Sequence, residues 1–571
     1  MSAEGSHPGS GHQGGGRSAR VLARRRFLAG VAGAGALAAT GLQPARALAA
    51  AGGAQTGLPS LGQVWQWQQQ LVQFGTRYTG SAGHAAYVSW LASQFAKVPG
   101  FSVRTDRLTF SRWLARDYSL QVSAPPAAGR SGPVPLTYYY PYSGQTGPQG
   151  VSGTLVDLGT YTPAVPGTSG TGYTPEFWAP AKGGIALVRT APPVFSLDAG
   201  QTATGGYEPG KTSAQVAADY EAYGAELTHP AWQGIFQPVP LLDARNAGVL
   251  GVVCAWSGLP DDEVFHQYNP FTTPYPAPSG LPSPGDPGCP AVWVGDSTGT
   301  ELSRLAASGQ AAATLTLTAD ITAGAATDTV WGLLKGSGGT GENIIINTHS
   351  DGPNATEENG GLGLLALARY LAARPRNRDL YFVAVTGHFQ LPQFTRPIPN
   401  PKNAEVGSDA TSVWTTDHPD IYQAAVLGVT VEHLGATMWT GQGGQYLPTG
   451  GYDWGTTYTM PFSQVNVAST EQSAYLDAVT AVNAAGWPDF PVATVRPGAI
   501  PLYLGEGAPL YQAGLGTVSF IPVPTYLLQA GDPQHPSLLD LDKLDKRLMY
   551  GQLLSFAKAI TVLDATPTAS L

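Results

Sequence analysis

The sequence predicts an α/β protein: a mixed, mostly parallel sheet flanked by helices, with a β-rich module inserted into it. Three observations predict this. From residue 343 onward, short β-branched runs alternate with helical patterns, the order that builds a parallel sheet between helical layers. Between residues 125 and 325 proline, glycine and short β runs dominate instead. The chain has 571 residues, 43% of them hydrophobic and only 12% charged. That is enough for two or three domains and a large core.

Residues 1–49 read as a leader. A Gly/Ser/His-rich stretch is followed by Arg24-Arg25-Arg26-Phe27-Leu28, a mildly apolar Ala/Gly run to Gly41, and small residues Ala47-Leu48-Ala49. An arginine pair before such a run predicts export by the twin-arginine pathway, to the cell envelope or the exterior. The run is about 15 residues long and glycine-rich, short for a bilayer span, and no transmembrane segment is expected in the mature chain. Removing the leader's six arginines and one glutamate takes the formal charge from −9 to −14. An acidic surface argues against nucleic acid as a partner. Two cysteines exclude a disulfide framework, leaving a single Cys254–Cys289 bridge open.

The remaining elements follow in order. Residues 56–125 form the first part of the main domain. Trp65, Trp67, Leu71 and Val72, then Tyr87, Trp90, Leu91 and Phe95, give two helical patterns around a polar turn at 74–81. Residues 101–110 alternate as a strand. Residues 126–326 form the inserted module, with strands at 154–158, 184–189, 249–255, 291–294 and 312–317 and short helices at 241–248 and 301–308. Residues 327–565 return to the main domain. Strands are expected at 344–348, 380–385, 429–431 and 517–521, with helices at 362–373, 469–485 and 544–563.

Polar groups gather where these strands end. The first empties into His349 and Asp351, with Glu357 and Glu358 following on the loop. The second ends at Gly387-His388 and the third at Glu432-His433. Ligands of open α/β sheets bind beyond the carboxyl ends of the strands, so three strands deliver imidazoles and carboxylates to one edge. These are suitable donors for zinc and similar borderline metals. His84, His229, His266 and His418 fall in polar loop segments and receive no role. Trp414, Trp439, Tyr452 and Trp454 lie in loops that could line a cleft.

The chain resembles the co-catalytic zinc aminopeptidases of peptidase clan MH in the form carrying a protease-associated domain. The resemblance rests on LVQFGTRYTGSAGHAAYVSWLASQFAK (71–97), GGIALVRT (183–190), LLDARNAGVLGVVCA (241–255), CPAVWVGDSTGTELSRLAASG (289–309) and TVWGLLKGSGGTGENIIINTHSDG (329–352). It implies an inserted protease-associated-like domain, one or two Zn²⁺ ions and a peptide substrate. It implies His349, Glu358 and Glu432 as metal ligands, Glu357 being the near alternative to Glu358, with Asp351 orienting His349. The family's paired glutamates after the second strand read His388-Phe389 here. Its final histidine is replaced by Leu527, the nearest histidine being His535. His388, His433 and His535 are candidate substitutes in a second metal site, and His388 or Glu357 is the candidate proton carrier. The expected function is an exported zinc aminopeptidase that cleaves N-terminal residues with activated water. The alternatives are a catalytically inactive module that binds peptide or glycan, and another chemistry of the family such as glutaminyl cyclisation.

Overall fold

A computed structural model describes residues 57–126, 129–161, 175–190, 201–225, 239–268, 287–390, 393–396, 409–458, 470–497, 503–531 and 541–571. The leader, His229 and His535 lie outside these residues.

The strands, in chain order, are β1 Phe101–Ser123, β2 Gly132–Val134, β3 Tyr138–Tyr139, β4 Val151–Tyr161, β5 Ile185–Thr190, β6 Gln201–Tyr207, β7 Gly251–Ala255, β8 Ala291–Val294, β9 Ala312–Leu334, β10 Asn343–His349, β11 Asp379–Val385, β12 Ala425–Val431, β13 Thr437–Gln442, β14 Gln445–Tyr452, β15 Gly455–Tyr458, β16 Val492–Pro497 and β17 Thr517–Phe520. The longer helices are α1 Leu61–Val72, α2 Ala82–Phe95, α3 Ser213–Ala225, α4 Asp296–Ala306, α5 Gly360–Ala372, α6 Thr470–Ala484 and α7 Lys546–Ala565.

The expected mixed α/β fold is present. β11, β10, β12 and β17 run parallel at its centre. β10 shows why: Ile344 and Ile346 face one core and Ile345 the other. A strand apolar on both faces belongs between two layers. The first core packs α1, α2, α5, α6 and α7 against the sheet. The second holds Val383, Val385, Trp331 and Trp414.

The β-rich region forms a run of strands β4, β5, β7 and β8, mutually parallel, with β3 antiparallel at the edge. Both regions share β1 and β9. These two 23-residue strands pair antiparallel from Phe101↔Leu334 to Ser123↔Ala312. One end of β9 joins β11 and the other joins β4. Both strands are far longer than expected from the sequence.

A second departure is the excursion β6–α3. It lies within the module by sequence but pairs antiparallel with β16 at the opposite edge of the sheet. Cys254 and Cys289 are buried, unbridged thiols; Cys289 Sγ lies 3.2 Å from the Val249 carbonyl, to which it donates. His84 is not in a loop: it is buried in α2, with its Nε2 3.0 Å from Ser350 Oγ.

Candidate metal centre and active site

Because β10, β11 and β12 are parallel and in register, their carboxyl ends place His349, His388 and the Glu432-His433 pair at one edge. Each side chain there is held by identifiable partners. Asn347 braces the strand ends from within: its amide donates to Thr411 Oγ1 and to the Glu506 carbonyl, and its oxygen accepts from Thr430. Asn354 shapes the following loop, accepting from the amides of Thr356 and Glu357 and donating to the carbonyls of Tyr526, Leu527 and Gln529. Asn359 closes it against both backbone groups of Leu434.

His349 is fully buried and its Nδ1–H donates to the Asp351 carbonyl at 2.8 Å. Its Nε2 has no hydrogen-bond partner. His433 repeats the arrangement, with Nδ1 donating to the Pro522 carbonyl at 2.6 Å and Nε2 unsatisfied. It adopts a left-handed backbone, φ 53°. That is an uncommon conformation for a side-chain-bearing residue and of the kind that collects at functional sites. Glu357 Oε2 stands 3.1 Å from His433 Nε2 and Glu432 Oε2 stands 3.9 Å from it, neither with hydrogen-bond geometry. The other oxygen of Glu432 accepts from the Glu506 amide at 2.8 Å.

His349 Nε2 and Glu432 Oε2 have no hydrogen-bond donor, while His433 Nε2 and Glu357 Oε2 face each other at 3.1 Å. Burial lowers the His433 imidazole, but the charges of Glu357 and Glu432 outweigh it and raise it. Ligand atoms of His349, Glu432 and His433 lie within 4.8 Å of one another, as do those of His349, Glu357 and His388. Orphaned buried acceptors are costly. Two imidazoles whose other nitrogens are hydrogen-bonded to carbonyls, plus two carboxylates, form a donor set that a divalent cation such as zinc satisfies. Burial drives the His349 imidazole well below its ordinary range, and His388 and His433 push it further the same way. A neutral imidazole is the form that binds metal. Burial raises the Glu432 carboxyl, only partly offset by His433 and His388.

The expected ligands divide. His349 and Glu432 meet. Glu358 gives its Oε1 to the buried Arg77 guanidinium and is in neither ligand group, while Glu357 Oε2 faces His433. Arg77 also donates to the carbonyls of Leu71 and Asn354 and bridges to Gly352 through its backbone. Asp351 differs from expectation as well. Its backbone carbonyl, rather than its carboxylate, meets His349. The carboxylate accepts from Thr79 and from the amides of Gly387, His388 and Phe389 at 3.2–3.3 Å, so it anchors the turn that carries His388.

His388 stacks on His349 with ring centroids 4.2 Å apart and planes 15° apart. Its Nδ1 lies 2.6 Å from Glu506 Oε1 and 3.8 Å from Asp409 Oδ1. Burial lowers His388, but the hydrogen bond and charge of Glu506, with Asp409 and Glu432, outweigh it and raise the imidazole to about 10. Glu506 and Asp409 were not expected here. In the sequence, Gly505-Glu506-Gly507 stands where the resembled family has a Ser-Asp-His segment before the last strand, and the sequence alone attaches no role to it. The loop aromatics pack inward: Trp414 is buried against Trp331, Trp439 lies on Tyr446, and Trp454 lies on Tyr220.

No family model and no curated protein matches the chain. Solved structures do match its fold. An aminopeptidase from Aneurinibacillus sp. strain AM-1 is 14% identical over 88% of this chain and 94% of its own, with a TM-score of 0.50. BSAP, a zinc aminopeptidase from Bacillus subtilis, is 16% identical over 90% and 98%, with a TM-score of 0.52. A peptidase M28 precursor from Shewanella amazonensis SB2B is 14% identical over 92% and 96%, with a TM-score of 0.54. Among the described residues no helix is long and apolar enough to cross a membrane.

Proposed function

We propose that this chain, which has the fold of the zinc aminopeptidases, is a metal-dependent hydrolase acting on peptides, with aminopeptidase activity as the specific reading. The observation that carries it is the pair of buried groups that share His349, namely His349-Glu432-His433 and His349-Glu357-His388, each with ligand atoms within 4.8 Å of one another. We assign His349, Glu357, Glu432 and His433 to one Zn²⁺ ion. When bound, such an ion supplies Lewis-acid polarisation of a carbonyl and lowers the pKa of a coordinated water toward neutrality. The protein's own groups do the rest. The carbonyls of Asp351 and Pro522 fix the two imidazoles so that Nε2 faces the centre. Glu357 and Glu432 supply two negative charges in a buried site, balancing a divalent cation. His388, stacked on His349, is the proton carrier nearest the reacting atoms. Asp351 holds the 387–389 turn that positions it. The leader's arginine pair and apolar run support export of the folded protein to the envelope or the exterior.

Metal analysis and turnover test this together. Purified protein is expected to carry about one zinc per chain and to release nitroaniline from unblocked aminoacyl substrates. His349→Ala is expected to lose both metal and turnover. Absence of bound zinc, cobalt or manganese after reconstitution overturns the proposal. Stoichiometric metal with no turnover of any aminoacyl or peptide substrate leaves the metal centre standing and overturns the hydrolase.

A further inference from the structure

We propose that Asp453 is the subsite for the amino terminus of the peptide, a buried carboxylate beside the metal centre that accepts the substrate's ammonium group. This rests on the functional reading above and deepens it, because it supplies a group that would select free N-termini.

The chain brings Asp453 to the centre by a short route. β12 ends just before Glu432-His433, and β13 begins shortly afterwards. The hairpin β13–β14 runs out and returns, pairing Thr437 with Tyr452. The next residue is Asp453, whose amide donates to the Ala436 carbonyl at 3.1 Å. The hairpin thus sets Asp453 down beside the point from which it left. Its charge acts on His433 and on Tyr526.

Asp453 is 2% exposed. Its Oδ1 accepts from the Trp454 amide at 3.0 Å and from the Tyr223 hydroxyl at 3.2 Å. Its Oδ2 is buried and has no hydrogen-bond partner. Tyr223 belongs to α3, which lays Tyr220 and Tyr223 on Trp454 with ring centroids 5.7 and 6.3 Å apart. The excursion β6–α3 therefore packs over the Asp453-Trp454 turn.

The other acids around the centre are engaged. Glu358 is paired with Arg77. The Asp351 carboxylate accepts from Thr79 and three amides. The Glu506 carboxylate accepts from the amides of Ala410 and Thr411. Glu357 and Glu432 are assigned to the metal. Asp453 differs: one oxygen lacks a donor, and among the described residues no lysine or arginine balances its charge. An unpaired buried carboxylate is costly. Burial accordingly lifts the Asp453 carboxyl to about 7, against the pull of the Trp454 amide, the Tyr223 hydroxyl and His433.

A peptide's amino terminus supplies what is missing. With a pKa of about 7.7–8.0 it arrives largely as an ammonium at neutral pH. It brings one positive charge and three N–H donors, of which one meets Oδ2. A blocked terminus brings no charge and leaves the carboxylate unpaired. Sites built on such a contact discriminate strongly against analogues that lack the donor.

The test is Asp453→Asn, which keeps an acceptor for Tyr223 and removes the charge. Isopentylamine and isopentanol, alike in shape, are titrated calorimetrically into parent and variant, each with and without zinc. The parent is expected to bind isopentylamine in both states. The variant is expected to bind it about 10- to 100-fold more weakly, with isopentanol unaffected. In turnover, leucine nitroanilide is compared with its des-amino analogue. The parent's preference for the amine is expected to fall by a similar factor, through KM more than kcat. Isopentylamine binding that is equal in parent and variant overturns the proposal. So does binding that vanishes from the parent with the metal, because the amine then lies on the ion, or a parent that does not bind isopentylamine. Amine binding lost in Asp453→Asn, in a protein that turns over no aminoacyl or peptide substrate, supports the ammonium site and overturns the hydrolase reading instead. Should Asp453→Asn fail to fold, Tyr223→Phe carries the test. It removes the hydroxyl that orients Oδ1, and its affinity for isopentylamine is expected to fall severalfold with isopentanol unaffected. No change there overturns the proposal.

Discussion

Arg77 is the residue on which the most local decisions depend. Its guanidinium pairs with Glu358 and holds carbonyls from α1 and the loop after β10, while the neighbouring Glu357 faces His433. Both charges are almost completely buried, so removing one strands the other in a low-dielectric site. Arg77→Met is expected to cost about 3–5 kcal/mol of stability in denaturant unfolding. Adding Glu358→Gln in the same chain should restore a large part of that, since the uncompensated charge is gone. Glu263 is a contrasting case, an acid whose solvation is lost without an ionic partner. Burial raises its carboxyl to about 8. Its folded-state pKa lies above its unfolded one, so its contribution is complete below about pH 4.5 and is lost as pH rises through about 8. Glu263→Gln is expected to flatten the fall in stability across that window by a few kcal/mol at most, read as the pH dependence of the unfolding midpoint. Residues of this kind were only partly legible in the sequence. His349, His388 and Glu432 announce themselves at strand ends. The engagement of Glu358 depends on a guanidinium 281 positions away in the chain, and Glu506 arrives on a turn with no periodicity to give it a role.

Among the elements, those packed on both faces were the easiest to read. β10 has an uninterrupted isoleucine run, and α5 has leucines around nearly its whole circumference, because each lies inside a layer. The long ribbon was hidden for the opposite reason. Beyond Phe110, β1 carries Arg112, Arg116 and Asp117, and β9 runs through Asp320, Thr322 and Asp328. These partners meet across two strands with much of their surface in water, so neither alternation nor an apolar run marks them. β6 and α3 were missed in another way. Their strand is glycine-rich and finds its partner β16 nearly 300 positions later. The last helix was expected to start at 544 and starts at Lys546. Asp545 caps α7, its Oδ1 accepting from the amides of Arg547 and Leu548 at 2.7 and 3.1 Å. Asp545→Ala is expected to lower stability by about 1 kcal/mol. It should leave metal content unchanged, which separates loss of a cap from damage to the centre.

At the scale of the whole molecule, the proposed metal centre joins segments that are far apart in sequence, from β10, its following loop and β12, and through second contacts from the end of β17 and the 503–507 turn. A ligand that binds only the assembled state stabilises all of it. At a free zinc concentration about 1,000-fold above the dissociation constant, the gain is about 4 kcal/mol. Chelation is therefore expected to lower the melting temperature of the entire cooperative transition, with recovery on adding zinc back. A melting temperature indifferent to chelator in a metal-loaded sample would count against the four-residue assignment. The shared ribbon has a consequence during synthesis as well. Phe101 waits for Leu334, and at 5–20 residues per second the wait is roughly 10–50 s. Throughout that interval β1 is a nascent strand without its main partner, paired only at Leu120–Val122 with β2, and most of its backbone edge is open to neighbouring polysomal chains. Slowing translation between these positions should thus increase co-translational aggregation, and holdase capture of ribosome-bound chains should peak before β9 has left the exit tunnel.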